Sequence, residues 1–193
     1  MNWLVGQKLA KILKSKGVSV MFTKTSEPQN VDNQERAHRI NGAAESFLRE
    51  NPRGRAVAVH LHCDSSTTKG FTIYYPDQQG IYGGPTGREP NQGFKGPPIG
   101  IQKSSRLLAN AVAPVMRRKL AGAVSSEGVM GDSKTKVGGR GHHGALTFSI
   151  FSKVPTITIE MVVLDNASDV AFIRTDEGQQ RMADAIAAGL LAY

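Results

Sequence analysis

Two histidines separated by one residue close an apolar segment, AVAVHLH (56–62). In an extended segment, side chains at i and i+2 point to the same side. His60 and His62 therefore share a face, and Asp64 follows them if the strand continues. Two neutral imidazoles near a carboxylate suit zinc; the same pattern also reads as hydrogen-bonded histidines near a sheet edge. Cys63 points the other way and reads as a small buried residue. A second candidate, Glu160, closes PTITIE (155–160). A carboxylate ending an apolar strand is costly to bury unless it meets a metal, a cation or hydrogen-bond donors. It reads as a general base acting on a metal-bound water, or as the partner of an arginine at the sheet edge. His142 and His143 lie in GRGHHGA, either solvated in a glycine-rich loop or reaching the sheet end to touch substrate. No serine stands in a G-x-S-x-G elbow, which argues against a serine hydrolase. No segment has the G-x-x-x-x-G-K-[ST] spacing of a phosphate loop.

The elements that must carry these residues follow from periodicity. Trp3, Leu4, Leu9, Ile12 and Leu13 fall largely on one helical face, with lysines opposite. Gly17 ends that helix, and VSVMFT (18–23) reads as a buried strand. Asp32 or Asn33 caps a second helix reaching about Asn51, with Arg36, Arg39 and Glu45 on its wet side. The histidine strand is followed by a second one, FTIYY (71–75). Residues 76–99 are rich in glycine and proline and form a long loop insertion, functional or mobile. A helix over 101–120 follows, then a glycine-rich polar stretch over 121–145, a short strand in ALTFSIF (145–151), the Glu160 strand, and a last helix over 176–191. Strands alternating with helices predict an α/β fold with a mostly parallel sheet covered on both faces. Its active site is expected at the carboxyl ends of the strands.

Composition narrows the function classes. The 193 residues fit one domain, and no apolar run reaches the roughly 18 residues of a membrane span. One cysteine excludes an intrachain disulfide and leaves the redox compartment open. The formal net charge is +8, which favours an anionic partner such as an anionic cell-wall polymer. Nucleic acid is not expected as that partner: aromatics are only 6% and no basic stripe is interleaved with them. The N-terminus lacks the basic, apolar and small-residue regions of a signal peptide. It enters a helical pattern at once, without a cap.

Taken together, these residues resemble the zinc-dependent N-acetylmuramoyl-L-alanine amidases that lyse bacterial cell walls, over nearly the whole chain. The family's strand ending Thr-Arg is matched by SVMFTK (19–24), with Lys24 in place of the arginine. Its Arg followed by Ala-Asn is matched by Arg36 and Asn41 in RAHRIN. Its Ser-Ile-His-Ala-Asn strand end is matched by His60-Leu61-His62-Cys63-Asp64, which maps the zinc-binding histidine onto His62. Gly70 and FTIYY fit the next strand, and Ser104 or Ser105 with Leu107 and Ala109 fits the following helix. PTITIEMVVLDN fits the Pro-led strand ending in the catalytic glutamate, Glu160, and the loop asparagine, Asn166. Val162 and Val163 replace the family's Gly-Phe.

The resemblance implies hydrolysis of the amide between N-acetylmuramic acid and the L-alanine of peptidoglycan stem peptides. One Zn2+ per intact domain would be held in part by His62, with Glu160 as catalytic base. Arg36, Asn41, His142 and Asn166 are candidate substrate contacts. It further implies a periplasmic or secreted enzyme acting on the cell wall, taken as a monomer with no integral membrane segment. The family has two further zinc ligands, a histidine after its first strand and a glutamate just before its first helix, and both would fall ahead of Met1. The expectation is therefore an amidase catalytic domain over 1–193, shortened at its N-terminus and lacking its first strand, with His60 or His142 as a substitute ligand. The alternative is a catalytically inactive amidase-like domain that binds peptidoglycan.

Overall fold

The structure, a computed structural model, describes residues 1–84, 88 and 90–193. The first helix, α1 (Asn2–Ser15), buries Val5, Leu9, Ala10 and Leu13, one face at three- and four-residue spacing. It ends where Gly17 takes φ +79°, a left-handed conformation open to glycine at no steric cost. Residues 18–23 are not the expected strand. They make no ladder with a neighbour, and Val18, Met21 and Phe22 are exposed; Phe22 rests against Trp3, ring centroids 5.3 Å apart. A β-prone segment becomes a strand only when another strand satisfies its backbone groups, and none of the described residues does so here.

Helix α2 (Asn33–Glu50) begins at Asp32, whose side chain accepts from the Glu35 amide at 2.8 Å. Strands β1 (Ala58–Asp64) and β2 (Phe71–Tyr75) follow. The long loop expected over 76–99 carries a small antiparallel ribbon, β3 (Gly80–Ile81) with β4 (Lys95–Gly96); its residues 85–87 and 89 lie outside the described ones. After helix α3 (Ile99–Lys119) comes β5 (Ser126–Gly131), inside a stretch expected to be a polar loop. It is a partly exposed strand whose only large apolar residues, Val129 and Met130, are adjacent, which leaves no alternation to read. The strand expected in 145–151 is instead a single helical turn, α4 (Thr147–Ile150). Its Phe148 and Ile150, with Phe151, pack into a small core shared with α2. Strand β6 (Thr156–Val163) runs three residues beyond Glu160. Helix α5 (Ala167–Arg174), also not expected, and helix α6 (Asp176–Leu191) complete the chain.

The main sheet has the order β1-β6-β2-β5. β1 runs parallel to β6 and β2 parallel to β5, while β2 is antiparallel to β6. The α/β fold with a mostly parallel sheet is thus as the sequence predicts. Helices α1, α3 and α6 cover one face through the main apolar core, built on Phe71, Ile73, Leu108, Val112, Met116, Ile157, Ile159, Met161 and Ile186. The opposite face is only partly covered, by α2 and α4. Because side chains alternate along a strand, His60 and His62 of β1, Thr158 and Glu160 of β6, and Thr72 and Tyr74 of β2 fall on that second, less covered face, while Cys63 and Tyr75 turn to the main core.

Candidate functional site

Cross-strand register assembles the site. His62 stands opposite Glu160, and Glu160 opposite Thr72. One step along, His60 stands opposite Thr158 and Thr158 opposite Tyr74. Two polar rows, His62–Glu160–Thr72 and His60–Thr158–Tyr74, therefore cross one face of an otherwise apolar sheet. They lie within the sheet rather than at its rim, as the expected position at the strand ends would have had it. The reason is that β6 continues past Glu160 and β2 runs antiparallel beside it.

Glu160 is the one residue not fully buried in a strand otherwise buried throughout; its side chain is 14% exposed, against 52% for His62. A carboxylate so placed costs several kcal/mol if nothing compensates it. The compensation is His62, whose Nδ1 lies 3.0 Å from Glu160 Oε2. That hydrogen bond is the main cause that raises the His62 pKa above the ordinary histidine value, with the nearby Glu160 and Asp64 charges adding to it. His60 is pushed the other way, down to about 4, first by burial and then by His62 and Arg36. The two rings lie 5.7 Å apart, and His60 also packs against Phe148 at 5.4 Å.

Arg36 enters from the first turn of α2. Its Nε donates to the Val31 carbonyl at 2.8 Å and its Nη1 lies 3.4 Å from His60 Nε2. Asn41 is buried one turn further along. Its amide nitrogen donates to the Phe151 carbonyl at 2.8 Å, and its amide oxygen accepts from the Lys153 backbone at 2.9 Å. Asn166 caps α5, accepting from the Ser168 and Asp169 amides. His142 stacks on Tyr82 with centroids 5.7 Å apart, and its Nε2 is 2.5 Å from the Thr147 hydroxyl. It makes no hydrogen bond to His60, His62 or Glu160. Of the residues expected from the sequence, the structure thus gathers His60, His62, Glu160 and Arg36 into one cluster. Asn41, Asn166 and His142 engage their own surroundings. A cavity of about 400 Å³ opens beside His62 at the free edge of β1, walled by Asn2, Trp3, Lys24, Glu27 and Leu164.

Three residues of this region were not singled out by the sequence. Thr72 and Tyr74 sit on the polar rows; alternation in FTIYY puts them on a common face but cannot say which face that is. Burial pushes the Tyr74 phenol up, with the Asp64, Glu160 and Glu127 charges adding to the effect. Asp169 is 3% exposed, and its Oδ2 accepts from the Gly70 amide at 2.6 Å and the Val163 amide at 3.0 Å. It ties together the approaches to β2, β6 and α5.

A catalytic zinc centre takes three protein donors and an open position. Among the described residues no group of three or more His, Cys, Asp or Glu side chains is placed to hold a metal ion. Glu160 engages His62 Nδ1, so Nε2 is the nitrogen of that ring left to coordinate. His60 Nε2 faces the guanidinium of Arg36, whose charge opposes a cation there. Cys63 lies on the other face, with its thiol 3.0 Å from Asn2 Oδ1. The donor set of this chain therefore does not fit the zinc centre that the resemblance implies.

Comparison with known proteins agrees on family and fold. The family model described as N-acetylmuramoyl-L-alanine amidase matches residues 1–192. No curated protein sequence matches. Among solved structures, the chain is similar to the apo N-acetylmuramyl-L-alanine amidase Ami1 of Mycobacterium abscessus, with TM-score 0.69 and 18% identity over 99% of this chain and 75% of that one. It is similar to the N-acetylmuramoyl-L-alanine amidase of Clostridium difficile 630, with TM-score 0.69 and 19% identity over 98% and 80%. A third is the amidase AmiC2 of Nostoc punctiforme, with TM-score 0.64 and 19% identity over 97% and 79%. At these identities the likeness is one of fold.

Proposed function

This chain belongs to the N-acetylmuramoyl-L-alanine amidase family, and on that premise we propose that it hydrolyses the amide joining N-acetylmuramic acid to the L-alanine of peptidoglycan stem peptides. The observation that carries the reading is the hydrogen bond between Glu160 and His62 in the middle of a polar sheet face. It supports Glu160 as the catalytic carboxylate. His62 holds one carboxylate oxygen, which fixes the orientation of the other. That second oxygen takes a proton from the attacking water as the water oxygen bonds to the lactyl carbonyl carbon. When the C–N bond breaks, the same proton passes to the departing L-alanine nitrogen, leaving a carboxyl group on the sugar side and a free amine on the peptide. Arg36 supplies positive charge beside this site, and preorganised charge of that kind favours an oxyanion or a substrate carboxylate.

In this reading the catalytic domain spans residues 1–193, the 76–99 loop and residues Asn41, His142 and Asn166 border the substrate, and the enzyme acts as a monomer on the cell wall, in the periplasm or outside the cell. Among the described residues no helix is long and apolar enough to cross a membrane. The test is incubation of the protein with purified peptidoglycan sacculi, followed by labelling of newly exposed amino groups and of new reducing sugars. Free L-alanine amines without new reducing ends are expected, and their loss in Glu160→Gln. Binding to sacculi with no new amines would show instead an inactive peptidoglycan-binding domain. New reducing ends would overturn the amide reading itself.

A further inference from the structure

We infer that His60 is a positioning residue, which holds the guanidinium of Arg36 in place to receive a carboxylate of the substrate's stem peptide. The inference rests on the amidase reading for the identity of the ligand and on geometry for the rest. A guanidinium has five N–H donors and no acceptor. Where Arg36 Nη1 meets His60 Nε2 at 3.4 Å, the imidazole nitrogen is therefore the acceptor and the ring carries its proton on Nδ1. A second fixed point is the Val31 carbonyl, which accepts from Arg36 Nε at 2.8 Å. Two contacts on two different nitrogens set the plane of the group, which a single contact would leave free to turn.

His60 is in turn held from both sides. It projects from β1 between Phe148, at 5.4 Å, and His62, at 5.7 Å. Arg36 is thereby coupled through one ring to the residue that binds Glu160. Among the described residues no carboxylate pairs with Arg36. Val31 and His60 take two of its five N–H groups, so a partly buried cation keeps donors for an anion it does not possess. A planar fork of this kind matches a carboxylate in two-point fashion. The carboxylate groups of a stem peptide are the anions that the proposed substrate brings to the site.

The experiment uses the full chain and a synthetic stem tripeptide with free carboxylates, beside the same peptide with its carboxylates amidated. Binding is measured by calorimetry for the wild type, Arg36→Ala, His60→Leu, His60→Gln and the double variant Arg36→Ala/His60→Leu. His60→Leu should weaken the free-acid peptide about tenfold, in keeping with loss of an oriented charge-assisted contact. His60→Gln, whose side-chain carbonyl restores an acceptor, should recover most of it. The amidated peptide should bind weakly and equally to all. The double variant should be no worse than Arg36→Ala. A second readout needs no ligand: the side-chain Nε–H and Nη–H NMR signals of Arg36 should broaden and merge in His60→Leu and remain distinct in His60→Gln. Should His60→Leu not fold, His60→Ala gives the same comparison. Unchanged Arg36 signals in the apolar variant, or equal peptide affinity in His60→Leu and wild type, would overturn the positioning role. Failure of the wild type to bind either peptide would instead count against the amidase reading, with the unliganded Arg36 signals still deciding for or against His60.

Discussion

Removing the Asp169 carboxylate should be the most damaging single change outside the apolar core. One oxygen of this buried side chain accepts from two backbone amides, Gly70 at 2.6 Å and Val163 at 3.0 Å. Gly70 immediately precedes β2, and Val163 ends β6. Asp169 also lies in the first turn of α5, where the helix dipole favours a negative charge. Asp169→Ala leaves both amides without a partner in a buried setting. Each orphaned group costs about 1–3 kcal/mol, so the loss is about 2–6 kcal/mol. Against a total stability of about 5–15 kcal/mol for a domain, that is a large fraction. Asp169→Asn keeps a carbonyl oxygen for the two amides and loses only the charge, so about 1–2 kcal/mol is expected. Urea unfolding of the three proteins measures both figures. Amide exchange adds a local reading: the Gly70 and Val163 amides should exchange faster in Asp169→Ala, ahead of the rest of their strands. A loss below about 1 kcal/mol in Asp169→Ala, or unchanged exchange at those two amides, would show that Asp169 is not what satisfies them.

Three other outcomes follow from the site and its surroundings. Glu160→Gln should lower the His62 pKa, because the Glu160 hydrogen bond is the main cause of its rise. In the wild type the stabilisation from this pair is full below the unfolded histidine pKa of about 6.5 and fades as pH rises through the higher folded value; an NMR titration of the His62 ring reads both. Burial raises the Asp132 carboxyl from 3.8 to about 7. The folded chain then keeps a proton that the unfolded chain has released, so stability should fall as pH rises from about 4 to about 7. The ceiling on that fall is about 4 kcal/mol. Asp132→Asn should flatten this part of the pH profile of the melting temperature, and an unchanged slope would remove Asp132 as its source. Metal analysis of the purified chain should find zinc well below one per molecule, because the donor set is incomplete; tight one-to-one zinc would show that the ligand count is wrong.

The fold class and the longer elements were legible in the sequence, and the smaller elements between them were not. The sequence placed His62 and Glu160 each near the end of an apolar strand; that they stand directly opposite one another is a matter of register, which neither segment encodes by itself. The helices α1, α2, α3 and α6 were readable from three- and four-residue apolar spacing. β5 was not, because a partly exposed strand with only Val129 and Met130, adjacent to each other, as apolar residues leaves no periodic trace. Residues 18–23 misled in the opposite direction, since local β preference says nothing about whether a partner strand is present. α4 replaced an expected strand because Phe148, Ile150 and Phe151 fill the second core from a single helical turn. Asp169 was invisible because its partners, Gly70 and Val163, are backbone amides, and no side-chain pattern marks an amide that needs an acceptor. Arg36 was chosen by resemblance, but its contact with His60 joins a helix to a strand 24 positions away, which spacing alone cannot reveal.

Asn41 gives the surroundings of the site a mechanical character. Its amide grips the chain at Phe151 and Lys153, just ahead of the strand that carries Glu160, while its own helix carries Arg36. Helix α2 and the approach to β6 are thereby clasped together, and neither can shift without breaking a buried amide contact. The site is thus rigidly framed on this side. Arg36 and Glu160 are then held at a fixed separation, so a ligand must match that spacing and cannot draw the two together.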